Sequence, residues 1–327
     1  MSARPLITTI ITCYDKAPWI EQCISSALSQ SIADSEVLVV DDASTDGSVE
    51  IIKRLEAENG GRLRAVFHRG NKGLPVTWKE AVDSARGSYI ARLDGDDWWI
   101  SDDKLEKQIA TLEASGGESK WCNTDFNAFD SDDRLVSEAC FKNGTVNLPQ
   151  SFEEILSTRG FTNPSSWLAD AGLLKEATAY MRDGSADDSF EIQLYMFRKT
   201  KLVTVPEPLV ANRMMQGSDS RPKSTEAALE RCRGLLKSQL ESLERAGARE
   251  VDYHRLARLL LEEQERQCET VVRLNEALSM KEVHISSLEA RIKELEKELA
   301  RTRTELDSVY ASKRWKLGSK LASIIGR

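Results

Sequence analysis

Between residues 6 and 94, short β-branched runs alternate with longer stretches whose apolar positions recur every three or four residues. The runs LITTIIT, EVLVVDD, LRAVFH and YIARLD predict strands. PWIEQCISSALSQ, residues 46 to 59 and the stretch after Gly73 predict helices. Strands and helices alternating in this way point to an α/β fold, a mostly parallel Rossmann-like sheet with helices on both faces, because a parallel connection needs a crossover long enough to hold a helix. Sheets of this kind bind ligands beyond the carboxyl ends of their strands. Three polar clusters fall at those ends, TCYDK, DDASTDGS and DGDD, and are expected to meet in one crevice.

Residues 119 to 216 are less regular. They hold strand-like WCNTDFNAF and KLVTVPEPLVANR, an Asn-Pro turn in FTNPSSWLADAGLL, and an acidic turn leading into a helix in DGSADDSFEIQLYMFRKT. Gly, Ser, Asp and Pro then gather at 217 to 224, which marks a boundary, and beyond it Glu, Arg, Lys, Leu and Ala dominate. Val271, Leu274, Leu278, Ile285, Leu288, Ile292, Leu295, Leu299, Leu306 and Val309 keep an alternating three-and-four spacing, interrupted only by Lys281 and Thr302. That seam predicts a coiled coil and a homo-oligomer, with dimer and trimer both open. The expected organisation is a catalytic-type domain over 1–222, a helical coiled-coil region over 223–310 and a basic tail over 311–327. The tail carries Lys313, Arg314, Lys316, Lys320 and Arg327 beside Trp315, Leu317, Leu321, Ile324 and Ile325. Such a composition suits an amphipathic helix on an anionic membrane surface, and equally a frayed end or a docking piece.

A net charge of −8 over 327 residues argues against a general nucleic-acid surface while leaving room for a local basic patch, and no stretch approaches the apolar length of a membrane span. The first residues alternate Thr with Ile as a strand does, unlike a signal peptide, so a cytoplasmic chain, at most peripheral at the inner membrane face, is expected. Six dispersed cysteines without a Cys-x-x-Cys pair, and three histidines, argue against a zinc site or a disulfide framework.

The stretch YIARLDGDDWW puts Asp94, Asp96 and Asp97 at the end of a buried strand, where they must repel one another unless something positive sits among them. Carboxylates in that place suit a hard cation such as Mg²⁺ or Mn²⁺, which takes oxygen ligands and shares itself with substrate phosphates. Taken alone, the cluster would equally be a solvated acidic turn capping the helix that starts near Ser101.

Four blocks in order, ITCYDKAPWIEQCISSALSQS, EVLVVDDASTDGSVEII, NKGLPVTWKEAVDSARGSYIARLDGDDWW and SADDSFEIQLYMFRKTKLVTVPEPLVANR, resemble those of glycosyltransferase family 2, nucleotide-sugar enzymes of the GT-A fold. The resemblance covers residues 4 to about 220. It implies that Thr12, Tyr14 and Asp42 sit where the family holds the base and ribose of a nucleotide, usually uridine, with Lys72 near the donor. Asp94 and Asp96 match the family's D-x-D, with Asp97 as a neighbour some members also use. They would hold Mn²⁺ or Mg²⁺ on the donor diphosphate. Asp188 matches the catalytic carboxylate, a general base that activates an acceptor hydroxyl for single, inverting displacement. The donor implied is a nucleotide-diphosphate sugar, UDP-sugars first, and the acceptor a glycan or lipid-linked glycan of a bacterial surface polysaccharide. Two positions depart from the pattern. Met215 stands where members often carry a metal-binding His, and Lys79 where an Asn is common. The competing reading is a scaffold that has lost catalysis and acts through its coiled coil.

Overall fold

The structure, a computed structural model, describes residues 4–182, 187–215, 222–247, 250–312 and 316–320. Most of the expected basic tail and of the segment 217–224 lies outside the described residues. Seven elements open the chain: β1 (Ile7–Cys13), α1 (Ile20–Leu28), β2 (Ser35–Asp41), α2 (Ser48–Glu58), β3 (Leu63–Phe67), α3 (Leu74–Ser84) and β4 (Tyr89–Asp94). All four strands run parallel in the order β3-β2-β1-β4. β1 is therefore interior, and every one of its residues is buried. Its alternating side chains divide between the faces. Ile7, Ile11 and Cys13 join one apolar core with Ile20, Ile24 and Ile52, while Ile10 joins a second with Trp78, Trp121 and Trp167.

The polar members of β1 need partners in such a place. Thr8 Oγ1 donates to Glu36 Oε1 at 2.8 Å and accepts the Gly87 N–H at 2.8 Å, so the hydroxyl closes the turn that leads into β4. The backbone at Gly87 comes so close to β1 that a Cβ there would lie 2.4 Å from Thr8 N.

Past β4 the sheet becomes mixed. The elements are β5 (Trp98–Trp99), α4 (Lys104–Ala114), β6 (Ser119–Phe129), β7 (Leu135–Ser137), α5 (Phe152–Thr158), a 3-10 turn at Pro164–Ser166, β8 (Leu168–Asp170), α6 (Ala171–Tyr180), α7 (Asp188–Lys199) and β9 (Lys201–Arg213). The strand order continues β4-β8-β6-β9-β5, with β8 antiparallel to both neighbours and β9 parallel to β6. The sequence pattern did not separate β5 from the loop after DGDD. A two-residue strand carries no periodicity of its own, and Trp98 and Trp99 are held by pairing with Ala211 and Val210 of β9.

Helix α8 (Thr225–Arg245) follows, capped by Ser224, whose Oγ accepts the Ala227 N–H. It packs on α7: Arg182 Nη2 donates to Ser238 Oγ at 2.7 Å, and Ser238 Oγ donates to Glu191 Oε1 at 2.7 Å. The first compact unit extends to Leu260. The second unit, 261–327, is built on the rest of α9 (Tyr253–Ala311), whose apolar seam from Val271 to Val309 is solvent-exposed in the single chain. Among the described residues no helix is long and apolar enough to cross a membrane.

Gly87→Ala is expected to destabilise the protein by about 3 kcal/mol, because backbone rather than a yielding side chain meets the new methyl. Gly60→Ala, with nothing within 4 Å of the added carbon, should change little. Urea unfolding of the pair checks this, and equal midpoints would mean that the turn into β4 does not approach β1 so closely.

Candidate active site

Register brings the three strand-end clusters together. Thr12 lies opposite Asp94 across β1 and β4, and Cys13 opposite Asp41 across β1 and β2. The Gly95 N–H donates to Thr12 O at 3.2 Å, and a Cβ on Gly95 would sit 2.8 Å from that oxygen, so the DGDD turn is held against the end of β1 by a residue without a side chain. The loops after β1 and β2 are stitched to each other. The Asp15 N–H donates to Ser44 Oγ, the Ala17 N–H to Asp46 Oδ2 and the Thr45 N–H to Asp15 Oδ1. Thr12 is buried at this junction, whereas Tyr14 is 47% exposed and open to a ligand.

Asp42 lies just past β2, its N–H bonded to Cys13 O. Its carboxylate collects the N–H groups of Lys72 and Gly73, both at 2.9 Å, and His68 Nδ1 at 2.7 Å. Burial opposes its charge, but the bonds from His68, Lys72 and Gly73 outweigh that and hold the carboxyl below the usual carboxylate range. Lys72 thus reaches the site through its backbone. Its ammonium pairs with Glu80 at 2.8 Å. Lys79 is paired with Asp83 on the exposed face of α3.

The charged centre is built around a residue that the sequence patterns did not single out. Arg92 sits in the middle of β4, 2% exposed, with Nε 3.0 Å from Asp94 Oδ1 and Nη1 2.5 Å from Asp188 Oδ2. Its guanidinium lies over the Trp78 ring at 4.6 Å and the Trp167 ring at 5.8 Å. Asp188 is the first residue of α7, whose N-cap is Asp187: Asp187 Oδ1 accepts the Phe190 N–H, and its other oxygen pairs with Arg231 of α8 at 2.6 Å. Burial pushes the Asp188 carboxyl up, Arg92 pulls it back, and Asp187 and Asp94 add to the upward push, leaving it raised.

Asp96 pairs with Lys16 of the first loop at 2.6 Å. The Lys16 ammonium is destabilised by burial, but Asp96, with Asp94 and Asp97 behind it, raises its pKa overall. The like charges of DGDD therefore have two neutralising partners within the chain, Lys16 and Arg92.

Asp97 stands apart from the other two. Its carboxylate faces the protein and is used there. Oδ2 accepts from Ser165 Oγ at 2.5 Å and Asn212 Nδ2 at 3.0 Å, and Oδ1 accepts the Arg213 N–H at 2.7 Å. Burial first, then repulsion from Asp96 and Asp94, pushes it up to about 8. Arg213 also donates to Asp96 O through Nη1 and pairs with Asp133 at 2.5 Å, so the end of β9 braces the turn. Of the two tryptophans after the cluster, Trp99 is a buried wall whose Nε1 donates to Ser165 O. Trp98 packs on Phe129 and under the Arg213 guanidinium.

Among the described residues, no three His, Cys, Asp or Glu side chains converge on one metal position. The donor set still fits a hard cation held in part by the protein. The Asp94 and Asp96 side chains stay 31% and 16% exposed, and Mg²⁺ or Mn²⁺ commonly completes its shell with water and substrate phosphates. Met215, half-buried after β9, adds no hard ligand.

Residues 8–154 match the model of glycosyl transferase family 2. TuaG of Bacillus subtilis, provisionally named a teichuronic acid biosynthesis glycosyltransferase, is 39% identical over 106 residues, covering 32% of this chain and 41% of that protein. The chondroitin synthase of Pasteurella multocida is 38% identical over 94 residues, 29% of this chain and 10% of that one. The matches thus span less than half the length of these relatives. Among solved structures, Staphylococcus aureus TarS 1–349 in complex with UDP-GlcNAc superimposes with a TM-score of 0.59 at 18% identity, over 80% of this chain and 72% of that one. The mannosyltransferase PcManGT of Pyrobaculum calidifontis, in complex with GDP-Man and Mn²⁺, gives 0.52 at 18% identity, over 80% of each chain. The fold is GT-A, followed by a helical carboxyl-terminal region.

Arg92→Leu is expected to cost about 3 kcal/mol at pH 8, since it leaves the Asp188 carboxylate buried without its cation. Without the guanidinium the folded-state pKa of Asp188 rises further above its unfolded value, so the folded chain binds more protons and recovers stability as pH falls through that raised pKa. Urea midpoints at pH 8 and pH 6 should show the gap to wild type narrowing on acidification. A gap that stays constant would mean that Arg92 does not carry the charge of Asp188.

Proposed function

We propose, from the match of residues 8–154 to the glycosyl transferase family 2 model, that the chain is an inverting glycosyltransferase that moves a sugar from a nucleotide-diphosphate sugar to a hydroxyl of a glycan or lipid-linked acceptor. The observation that carries the reading is the shared guanidinium of Arg92, which puts the Asp188 carboxylate beside the D-x-D strand end. A base for the acceptor and a site for the donor diphosphate thereby lie together in the crevice.

Each residue then has a task. Thr12, Tyr14 and Asp42 receive the base and ribose, Asp42 from a carboxylate already fixed by the N–H groups of Lys72 and Gly73. Asp94 and Asp96 hold Mn²⁺ or Mg²⁺, which when bound neutralises charge on the departing diphosphate. Lys16, close against Asp96, supplies a further positive charge on the same side. Asp97 keeps the turn in shape through Ser165, Asn212 and Arg213. Asp188 accepts the proton of the acceptor hydroxyl while that oxygen bonds to the anomeric carbon. The bond from that carbon to the diphosphate oxygen breaks on the opposite face, and the configuration inverts. Burial favours this assignment, because a raised carboxyl is a stronger base than a solvated one.

UDP-sugars are the favoured donors. The relative named for teichuronic acid biosynthesis and the UDP-GlcNAc complex of the structural neighbour support a bacterial surface polysaccharide as the setting and a uridine nucleotide as the carrier. The GDP-Man and Mn²⁺ of the second neighbour support a divalent cation.

Nucleotide release from UDP-, GDP-, TDP- and CMP-sugars with Mn²⁺ or Mg²⁺ tests the assignment. One donor should be consumed in a metal-dependent way. Asp96→Ala should abolish this, and Asp188→Asn should lower kcat by about 10³-fold with donor affinity kept. Transfer should also decline as pH falls through a pKa above the ordinary carboxylate range, since Asp188 acts as a base only when ionised. No turnover of any donor, together with no nucleotide binding by calorimetry, would sink the reading.

A further inference from the structure

We infer that residues 271–309 pair with a second copy of this chain as a parallel, in-register, two-stranded coiled coil. This stands apart from the transferase chemistry, and neither depends on the other. Along α9 the seam positions alternate strictly. Val271, Leu278, Ile285, Ile292, Leu299 and Leu306 occupy the first core position of successive heptads, and Leu274, Lys281, Leu288, Leu295, Thr302 and Val309 the second. The apolar members are exposed in the single chain, Leu274 by 60% and Leu299 by 70%, and a stripe of that length needs a cover. β-branched Val271, Ile285 and Ile292 in the first position, against Leu274, Leu288 and Leu295 in the second, favour two strands.

Direction and register follow from the charges that flank the seam. In a parallel, in-register pair, a residue just before the first core position meets the partner's residue five places further on. His284 then faces Glu289 of the other copy, Arg291 faces Glu296, and Glu298 faces Arg303. The two acid–base pairs are of opposite charge, and the histidine meets an acid. In an antiparallel pair of full overlap Glu289 would meet its own copy, Glu282 would meet Glu296, and Arg291 would meet Arg291. The two polar core positions add to this. In register, Thr302 meets Thr302 and Lys281 meets Lys281, where each lysine stem can lie along the seam and carry its ammonium away from the other to Glu282 of the other copy. A slip by one heptad would instead bury Lys281 against leucine. Within one chain Arg291 pairs with the exposed Glu294 at 2.5 Å, an arrangement it can share with a partner's acid on the same side.

The test uses the full chain with the exposed Cys232 and Cys268 changed to Ser and Leu274 to Cys. In the parallel pair the two Cα atoms at 274 come within about 6 Å, close enough for a disulfide. In the antiparallel pair they stand about 48 Å apart. Light scattering of the wild-type chain should give the mass of two chains, and oxidation of the variant should give a covalent dimer that reduction reverses. A monomer or trimer by mass, or a dimer that oxidation does not link, overturns the proposal. Independently, Arg291→Glu should raise the dimer dissociation constant on the order of tenfold at low salt, and adding Glu296→Arg should restore it. An unchanged constant in the single variant, or no recovery in the double, also overturns it.

Discussion

One buried guanidinium holds the candidate active site together. Arg92 reaches Asp94 on its own strand and Asp188 at the start of α7, 96 residues further along the chain. Arginine suits that place better than lysine, since its planar fork serves two carboxylates in fixed directions while its face lies on Trp78. Deep in β4, the cation is tolerated because both acids sit within bonding distance. Burial and the neighbouring carboxylates drive the Asp188 carboxyl upward, while the guanidinium, aided by the amino terminus of α7, draws it back. The outcome is a buried carboxyl held above the usual carboxylate range, with its charged form favoured by the guanidinium beside it.

The DGDD turn solves its repulsion by separating its acids rather than by gathering them around one point. Asp94 turns to Arg92, Asp96 to Lys16, and Asp97 inward to Ser165, Asn212 and the Arg213 N–H. The first two keep oxygen atoms near the crevice, and the third ties the turn to β9. This division leaves two of the three acids partly exposed and buries the third. It also explains why the mixed half of the sheet belongs to the site: β9 and the 3-10 turn at 164–166 form the floor on which DGDD rests.

What could be read from sequence follows what is local. The four parallel strands show in their β-branched runs, and Asp42, Asp94 and Asp96 show as acids at strand ends, where an α/β sheet opens. The roles of Arg92, Asp97 and Lys72 depend on partners far away in the chain. Arg92 did leave a mark, as the one cation inside YIARLD, a run otherwise fit for burial. Recognising it required knowing that Asp188 would arrive opposite. Asp97 looked equivalent to its neighbours because nothing local reveals that Asn212 and Arg213, 115 and 116 residues on, would claim its oxygens. The resemblance puts Lys72 near the donor, yet what meets Asp42 is a backbone N–H that any residue but proline would supply there.

The buried charges also bear on the choice between an enzyme and a scaffold. A fold does not need an Arg–Asp pair in its core: well-packed apolar residues of similar volume in place of a buried ion pair are often neutral or stabilising. The surroundings here would accommodate them, since Trp78, Trp167 and Ile90 already make that face of β4 apolar. A chain whose only task was to present a coiled coil would gain nothing from carrying Arg92 and Asp188 inside the sheet, nor from holding Asp94 and Asp96 at its open end with Lys16 as their counter-charge. Buried charges of this kind are a cost to folding that a scaffold would have no need to carry, which favours the enzyme over the scaffold.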